Sequence, residues 1–296
     1  MANFKIFIET GTDLSRKFIL SQHRLRVMPL NLIIDGKEYR QDAEHPEMLT
    51  PVFYEKQRKG KLGEVAVLRI EQIIQCMRPV LAAGEDILYL SLDDFMGGNL
   101  KAARKAAEIL KKEFPQRQVL VVDTACVSLG LGKLVELCNE YADGHTLEET
   151  YRFALEKAKV IHHLFLVDDP RYVRRFHQIG MVISWWDRMW GIRPIYEVAA
   201  EGYMRLKFAP RGKDKALNVL AERVLGGHRE GKIYIAHADD LATAGKLRGL
   251  IIKKNSKLKI KIGDIGPAVG VRCGAGAVAV FYEGENRNAE DTDSRG

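Results

Sequence analysis

From residue 4 to residue 159 the chain alternates short apolar runs with amphipathic stretches, and that alternation restricts it to few folds. The apolar run Phe4-Lys5-Ile6-Phe7-Ile8-Glu9 leads into Thr10-Gly11-Thr12-Asp13-Leu14-Ser15, a turn able to start a helix from Thr12 or Asp13. Residues 26–34 read as one further strand closed by the Asp35-Gly36 turn. Residues 70–81 are amphipathic and end at Gly84, and 86–92 are a buried strand. An alanine-rich helix over 101–114, a strand over 118–123 and a helix over 129–142 follow. Thr146-Leu147-Glu148-Glu149 is a capping box opening a helix to Lys159. Strands separated by helices predict a mainly parallel sheet, with ligands gathering at the carboxyl ends of its strands.

After residue 160 the pattern becomes strand-rich. Residues 164–167, 203–208, 232–237, 257–262 and 277–281 read as strands of a second sheet, with helices over 216–225 and 241–251 covering it. The expected division is therefore an N-terminal α/β domain over 1–163, a C-terminal α/β domain over 164–284 and a flexible polar tail over 285–296. At 296 residues, with 46% hydrophobic and 29% charged content, the chain can bury a core in each domain and leave a cleft between them.

No apolar run approaches the ~20 residues of a membrane helix, so no integral membrane segment is expected. The opening residues lack a signal-peptide layout, and a cytoplasmic protein is the expectation. Cys76, Cys126, Cys138 and Cys273 form no Cys-x-x-Cys pair and sit in apolar or small-residue contexts, which predicts buried reduced thiols and no metal site. The net charge of +7 invites a nucleic-acid reading. Its densest stretch, from Lys253 to Lys261, fits better as a helix end, a turn and a strand with Leu258, Ile260 and Ile262 inward and lysines outward. No nucleic-acid motif accompanies the charge, so no nucleic-acid partner is expected.

Three loops carry potential chemistry. Glu9-Thr10-Gly11-Thr12-Asp13 offers hydroxyls and backbone N–H groups to an anion, and equally fits a capped turn. Asp93-Asp94-Phe95-Met96-Gly97-Gly98-Asn99 joins a buried strand to a helix N-terminus, where paired glycines let the backbone approach a ligand. Residues 265–277 hold glycines at 266, 270, 274 and 276 with Arg272 among them, a pattern of tight backbone passage near an anion. Neither a dinucleotide fingerprint, a P-loop nor a Gly-x-Ser-x-Gly elbow is present.

Taken in order, these segments resemble the DegV family over nearly the whole chain. The resemblance rests on Val27-Met28-Pro29-Leu30 with Ile34-Asp35-Gly36-Lys37-Glu38-Tyr39, on Val122-Asp123-Thr124-Ala125-Cys126 running to Gly132, and on Val167-Asp168-Asp169-Pro170-Arg171. Ile192-Arg193-Pro194-Ile195 and the stretch from Ile265 to Glu283 continue it. It implies an α/β fold, a three-layer parallel-sheet domain followed by a two-layer mixed-sheet domain. It also implies a long-chain fatty acid held between them as ligand, with no cofactor and no catalysis by the chain itself. A separate fatty acid kinase is the implied partner.

Departures from the family pattern fall on the head-group loops. The family's Thr-Ser-Gln-Pro-Ser loop aligns with Val65-Ala66-Val67-Leu68-Arg69, and its Ser-Gly-Thr turn with Gly97-Gly98-Asn99. Its Asp-Ser pair becomes Glu9-Thr10, its Gly-Gly-Arg-Ile turn becomes Phe176-His177-Gln178-Ile179, and a histidine becomes Arg272. Arg211 keeps the arginine of a basic segment and is expected to face a partner. The expected ligand-binding residues are Thr10, Val65, Ala66, Gly97, Gly98, Asn99 and Arg272. Hydroxyl hydrogen bonds to a carboxylate contribute about 1.5–3 kcal/mol each. Without them a buried carboxylate is expelled or protonated. The competing readings are a regulatory module of the same fold that has lost fatty-acid delivery, and a phosphotransferase, for which a nucleotide site is missing from the sequence.

Overall fold

The computed structural model describes residues 3–92, 99–174, 189–200 and 202–287. Strands β1 (Phe4–Glu9), β2 (Leu25–Met28), β6 (Asp86–Ser91) and β7 (Val119–Asp123) form a parallel sheet of order β2-β1-β6-β7. Helix α1 (Arg16–Ser21) links β1 to β2, and its N-cap is Ser15, whose hydroxyl accepts from the Phe18 N–H at 3.3 Å. The expected start at Thr12 or Asp13 is thus displaced, because Asp13 is engaged elsewhere. Helices α3 (Ile70–Ala82) and α4 (Leu100–Glu113) pack on each other and on the sheet. Helices α5 (Ser128–Tyr141) and α6 (Leu147–Val160) form a second such pair. The capping box is reciprocal: Glu149 N–H donates to the Thr146 hydroxyl at 3.2 Å, and Thr146 N–H to the Glu149 carboxylate at 2.8 Å.

The single strand expected over 26–34 is two strands in different sheets. Pro29 has no N–H to donate, so β2 stops before it, and β3 (Leu30–Ile34) turns into an antiparallel sheet of order β4-β3-β5 with β4 (Lys37–Gln41) and β5 (Gly63–Ala66). Asp35 and Gly36, with φ of 55° and 70°, make the two-residue turn between β3 and β4; positive φ at both positions matches the right-handed strand twist. Helix α2 (Thr50–Arg58) precedes β5.

The third sheet has order β10-β9-β8-β13-β11-β12 and mixes parallel with antiparallel pairs. It comprises β8 (Ile161–Leu166), β9 (Ile195–Val198), β10 (Met204–Phe208), β11 (Glu230–His237), β12 (Ile260–Asp264) and β13 (Val278–Glu283). Successive side chains alternate between two cores, as a two-residue period requires. Phe165, Tyr196, Tyr234 and Phe281 join the core shared with the parallel-sheet domain. Leu164, Leu166, Ile195, Ile233, Val278 and Val280 pack under α8 (Lys213–Gly227) and α9 (Leu241–Lys254). Strand β9 lies outside the expected set. So does helix α10 (Pro267–Cys273), which replaces the open glycine-rich passage expected over 265–277. Short helix α7 (Pro170–Arg174) follows β8.

Helix α5 lies against β8, β11 and β13 and is buried on nearly every side. Its Lys133, 2% exposed, reaches Glu283 of β13 at 2.7 Å and donates to the Lys232 carbonyl. Lys157 of α6 contacts the other Glu283 oxygen at 2.8 Å and Glu230 at 2.6 Å. Burial pushes Lys133 below the usual lysine range, partly offset by Glu283. For Glu283, burial works upward but the hydrogen bonds from Lys133 and Lys157 outweigh it and hold the carboxyl low. Residues read from sequence as polar tail also take part. Arg287, 6% exposed, donates to the carbonyls of Ala125, Ala158, Val198 and Ala199, joining both domains. Cys126, Cys138 and Cys273 are buried as expected, whereas Cys76 is exposed on the outer face of α3. Among the described residues no helix is long and apolar enough to cross a membrane.

Candidate functional site

The chain leaves β1 toward β2 on one side and β6 toward β7 on the other, so the order β2-β1-β6-β7 opens a crevice at the carboxyl ends of β1 and β6. Such switch points in parallel sheets are where ligands bind. The last residue of β1, Glu9, is 0% exposed there. The Tyr89 hydroxyl and the Asn99 amide donate to one of its carboxylate oxygens, and the Leu92 N–H donates to the other at 3.1 Å. Asn99, 1% exposed at the N-cap position of α4, makes no side-chain cap. Its carbonyl oxygen instead accepts from Leu68 N–H, just beyond β5. Thr10, next along, accepts from Leu30 N–H at 2.8 Å through its hydroxyl. A buried carboxylate needs such donors, and sequence reading alone did not single it out.

Outside this crevice lies a cleft of about 470 Å³ between the domains. That is within the ~300–1,000 Å³ usual for small-molecule sites. Its lining includes Thr10, Asp13, Arg16, Gln41 and Asp42 from the parallel-sheet domain and Lys261, Asp264 and Pro267 from the mixed-sheet domain. Helix α2 docks on α10 beside it: the Tyr54 hydroxyl donates to the Ile265 carbonyl at 2.6 Å and the Gln57 amide to the Gly270 carbonyl at 3.0 Å. That docking requires glycine at 270, since a Cβ there would lie 2.5 Å from the Tyr54 hydroxyl.

Asp13 is a polar tie beside the cleft, accepting from the Ser128 hydroxyl and from Gly266 N–H at 2.9 Å. Burial pushes its carboxyl up to about 6; the Ser128 and Gly266 hydrogen bonds work against that rise, and Asp264 adds to it. In the unfolded chain an aspartate titrates near 3.9. Between about pH 4 and 6 only the folded state keeps the proton, so this group's contribution to stability declines as pH rises through that window. The loss is about 1–3 kcal/mol, at 1.36 kcal/mol per unit and reduced by solvent reaching a half-buried side chain. Asp13→Asn should remove that slope. Urea midpoints at about pH 4 and pH 7 should fall less with rising pH in the variant than in the parent chain; identical pH dependence would contradict the assignment.

The structure brings Thr10, Asn99 and the end of the Val65–Ala66 strand to one crevice. Val65 and Ala66 are half-buried on β5, paired with Leu32 and Asn31, and are strand rather than loop residues. Arg272 is half-buried in the last turn of α10, a helix that packs beside β5. Gly97 and Gly98, like Phe176-His177-Gln178-Ile179, lie outside the described residues. Arg211 is exposed, its backbone bridged to Ile192 before α8, away from the crevice.

Fold and site together define a two-domain α/β protein with a ligand-sized cleft where a parallel-sheet domain meets a mixed-sheet domain. The chain belongs to the DegV family: the family model described as "Uncharacterised protein, DegV family" matches residues 3–285. The DegV domain-containing protein CPE0026 of Clostridium perfringens is 27% identical over 293 residues, covering 97% of this chain and 99% of its own. The fatty acid binding DegV family protein SAG1342 of Streptococcus agalactiae superposes with a TM-score of 0.83 at 20% identity, over 97% of this chain and all of its own. The Streptococcus pneumoniae Fatty Acid Kinase (Fak) B3 protein, loaded with linoleic acid, superposes with a TM-score of 0.79 at 16% identity, over 96% and 100%. At those identities the two structures establish the shared fold.

Proposed function

We propose that the chain is a cytoplasmic carrier of one long-chain fatty acid or closely similar acyl lipid, held in the interdomain cleft, with the chemistry done by a partner. The observation that supports this most is the whole-chain likeness, at a TM-score of 0.83, to a protein described as fatty acid binding. A long acyl chain gains about 0.8 kcal/mol per buried methylene, so hydrocarbon burial alone offsets much of the cost of association. Thr10, Val65, Ala66, Gly97, Gly98, Asn99 and Arg272 are the residues we assign to the head-group end. Arg211, on the surface, suits a partner or a transferred phosphate through bidentate contact. A fatty acid kinase is the partner suggested by the likeness to the pneumococcal protein. Arg272 cannot exchange a proton near neutral pH as the family histidine can. The test is mass spectrometry of lipid extracted from the chain purified under native conditions. Long-chain lipid in near-equimolar amount is expected; a lipid-free chain that also takes up none on incubation with a mixed lipid extract would overturn the proposal.

A further inference from the structure

A second cavity, of about 360 Å³, adjoins the interdomain cleft between α1, β2 and the turn that follows β4. The two share Ile19, Val27, Asp42 and Ala43 as lining, so these four residues form the boundary between them. Buried Leu25 and half-buried Ile19 and Val27 make the inner wall of the second cavity. Leu20, 53% exposed, stands at its mouth with the exposed His23 and Glu44. Three of its polar lining residues are already engaged within the protein. Arg26 donates to the His23 and Leu25 carbonyls at 3.0 and 2.8 Å, and Gln22 accepts from the Asn139 amide and donates to the Ser21 hydroxyl. The Asp42 carboxylate accepts from Glu44 N–H at 2.8 Å and His45 N–H at 3.4 Å, which folds the turn and fixes Ala43 on the boundary. A hydrocarbon laid in the second cavity displaces water without breaking these bonds, and gains its own burial. In the cleft itself it would lie among Asp13, Arg16, Lys261 and Asp264, charged groups that lose hydration when hydrocarbon covers them.

We infer that this second cavity takes the distal end of the acyl chain, and that Ala43, on the boundary, sets the chain length at which binding levels off. The inference rests on the carrier reading and adds the path of the tail to it. Alanine is the smallest of the four boundary side chains, so it is the one whose enlargement closes the passage. Val27, which faces it across the boundary, belongs to β2, the edge strand of the parallel sheet, where no further strand covers the cavity. A chain that ends before the boundary gains nothing from the second cavity. Each methylene beyond it tightens binding about fourfold, the value of hydrocarbon burial, and gives the exposed Leu20 an apolar partner.

The experiment displaces a fluorescent long-chain probe with saturated fatty acids of about eight to about eighteen carbons, on the full parent chain and on Ala43→Phe. For the parent, affinity should rise about fourfold per methylene up to a plateau. Ala43→Phe should reach its plateau at least about two methylenes earlier, which lowers the ratio of longest-acid to shortest-acid affinity at least about tenfold. A merely structural effect of the substitution would weaken all lengths alike; an unchanged ratio in the folded variant would overturn the inference and leave the carrier reading intact. A parent chain that binds neither the probe nor any acid, or whose affinity does not change with length, would overturn both. Should Ala43→Phe not fold, by circular dichroism, Leu20→Ser decides, since a half-exposed side chain is replaced without opening the core. There the same ratio should fall at least about twofold, and an unchanged ratio would overturn the inference.

Discussion

Glu283→Ala should destabilise the protein by about 3–5 kcal/mol, the usual cost of leaving one member of a buried ion pair without its partner. The substitution leaves the Lys133 ammonium, 2% exposed, with the Lys232 carbonyl and the face of Tyr234 in place of a carboxylate at 2.7 Å. It also unties Lys157 of α6 from β13, so one attachment of α5 and one of α6 to the second sheet weaken together. Because the pair is buried, added salt should change the loss little, unlike the exposed pair Arg78–Glu113. Urea unfolding followed by circular dichroism measures it. A loss below about 1 kcal/mol would mean that the Lys133 charge finds water or another partner. The paired replacement Lys133→Met with Glu283→Leu should recover most of the loss, since buried ion pairs often exchange for hydrocarbon at little cost.

Gly130→Ala should lower stability by at least about 2 kcal/mol, although alanine at an unconstrained helical site gains about 1 kcal/mol over glycine. Helix α5 crosses the second sheet so closely that a Cβ at residue 130 would stand 2.2 Å from His163 Nε2 and 2.8 Å from a ring carbon of Phe281. His163 cannot withdraw freely: its Nε2 accepts from Val127 N–H at 3.3 Å and its Nδ1 pairs with the Ile161 carbonyl at 2.9 Å. That arrangement fits a neutral ring, and burial pushes its pKa well below the usual histidine range, with Arg287 adding to the effect. Gly249 in α9 is the control. Nothing lies within 4 Å of its would-be Cβ, so Gly249→Ala should stabilise by up to about 1 kcal/mol. Opposite signs at the two glycines, read from thermal unfolding midpoints, are the expected result. The same sign at both would contradict the close approach of α5 to the sheet.

The parts of the fold visible in the sequence are those set by neighbours along the chain. Thr146 and Glu149, three residues apart, announce the start of α6, and Asp35-Gly36 announces the β3–β4 turn. The lysines at 253, 254, 257 and 259 are exposed around the end of α9 as expected, while Lys261 is turned to Glu136 at 2.6 Å. What escaped the sequence reading depends on distant partners. Helix α10 forms in a glycine-rich run because Pro267 suits a first helical turn and Gly270 admits Tyr54 of α2. Pro29 marks where residues 26–34 divide, but that β3 joins a different sheet, with Leu30 N–H given to the Thr10 hydroxyl, depends on contacts distant in sequence.

The site follows the same rule. Thr10 and Asn99 are identifiable by their place at a strand end and at a helix start. Glu9 was visible only as one acid replacing another, because Tyr89, Leu92 and Asn99 lie eighty or more residues away. One signal was available: an acidic residue closing a strand otherwise apolar at Ile6, Phe7 and Ile8 must find buried donors or stay in water. By its neighbours Asp13 reads as a turn residue, and its tie to Gly266 lies 253 positions away along the chain.

The central claim, that the cleft between the two domains carries an acyl chain, is tested most directly by the dependence of affinity on chain length for lipids sharing one head group. With about 0.8 kcal/mol gained per buried methylene, each added methylene should tighten binding roughly fourfold until the site is filled, after which affinity levels off. Calorimetric or displacement titrations that show this rise and plateau are the predicted result; an affinity that does not change with chain length would contradict the claim.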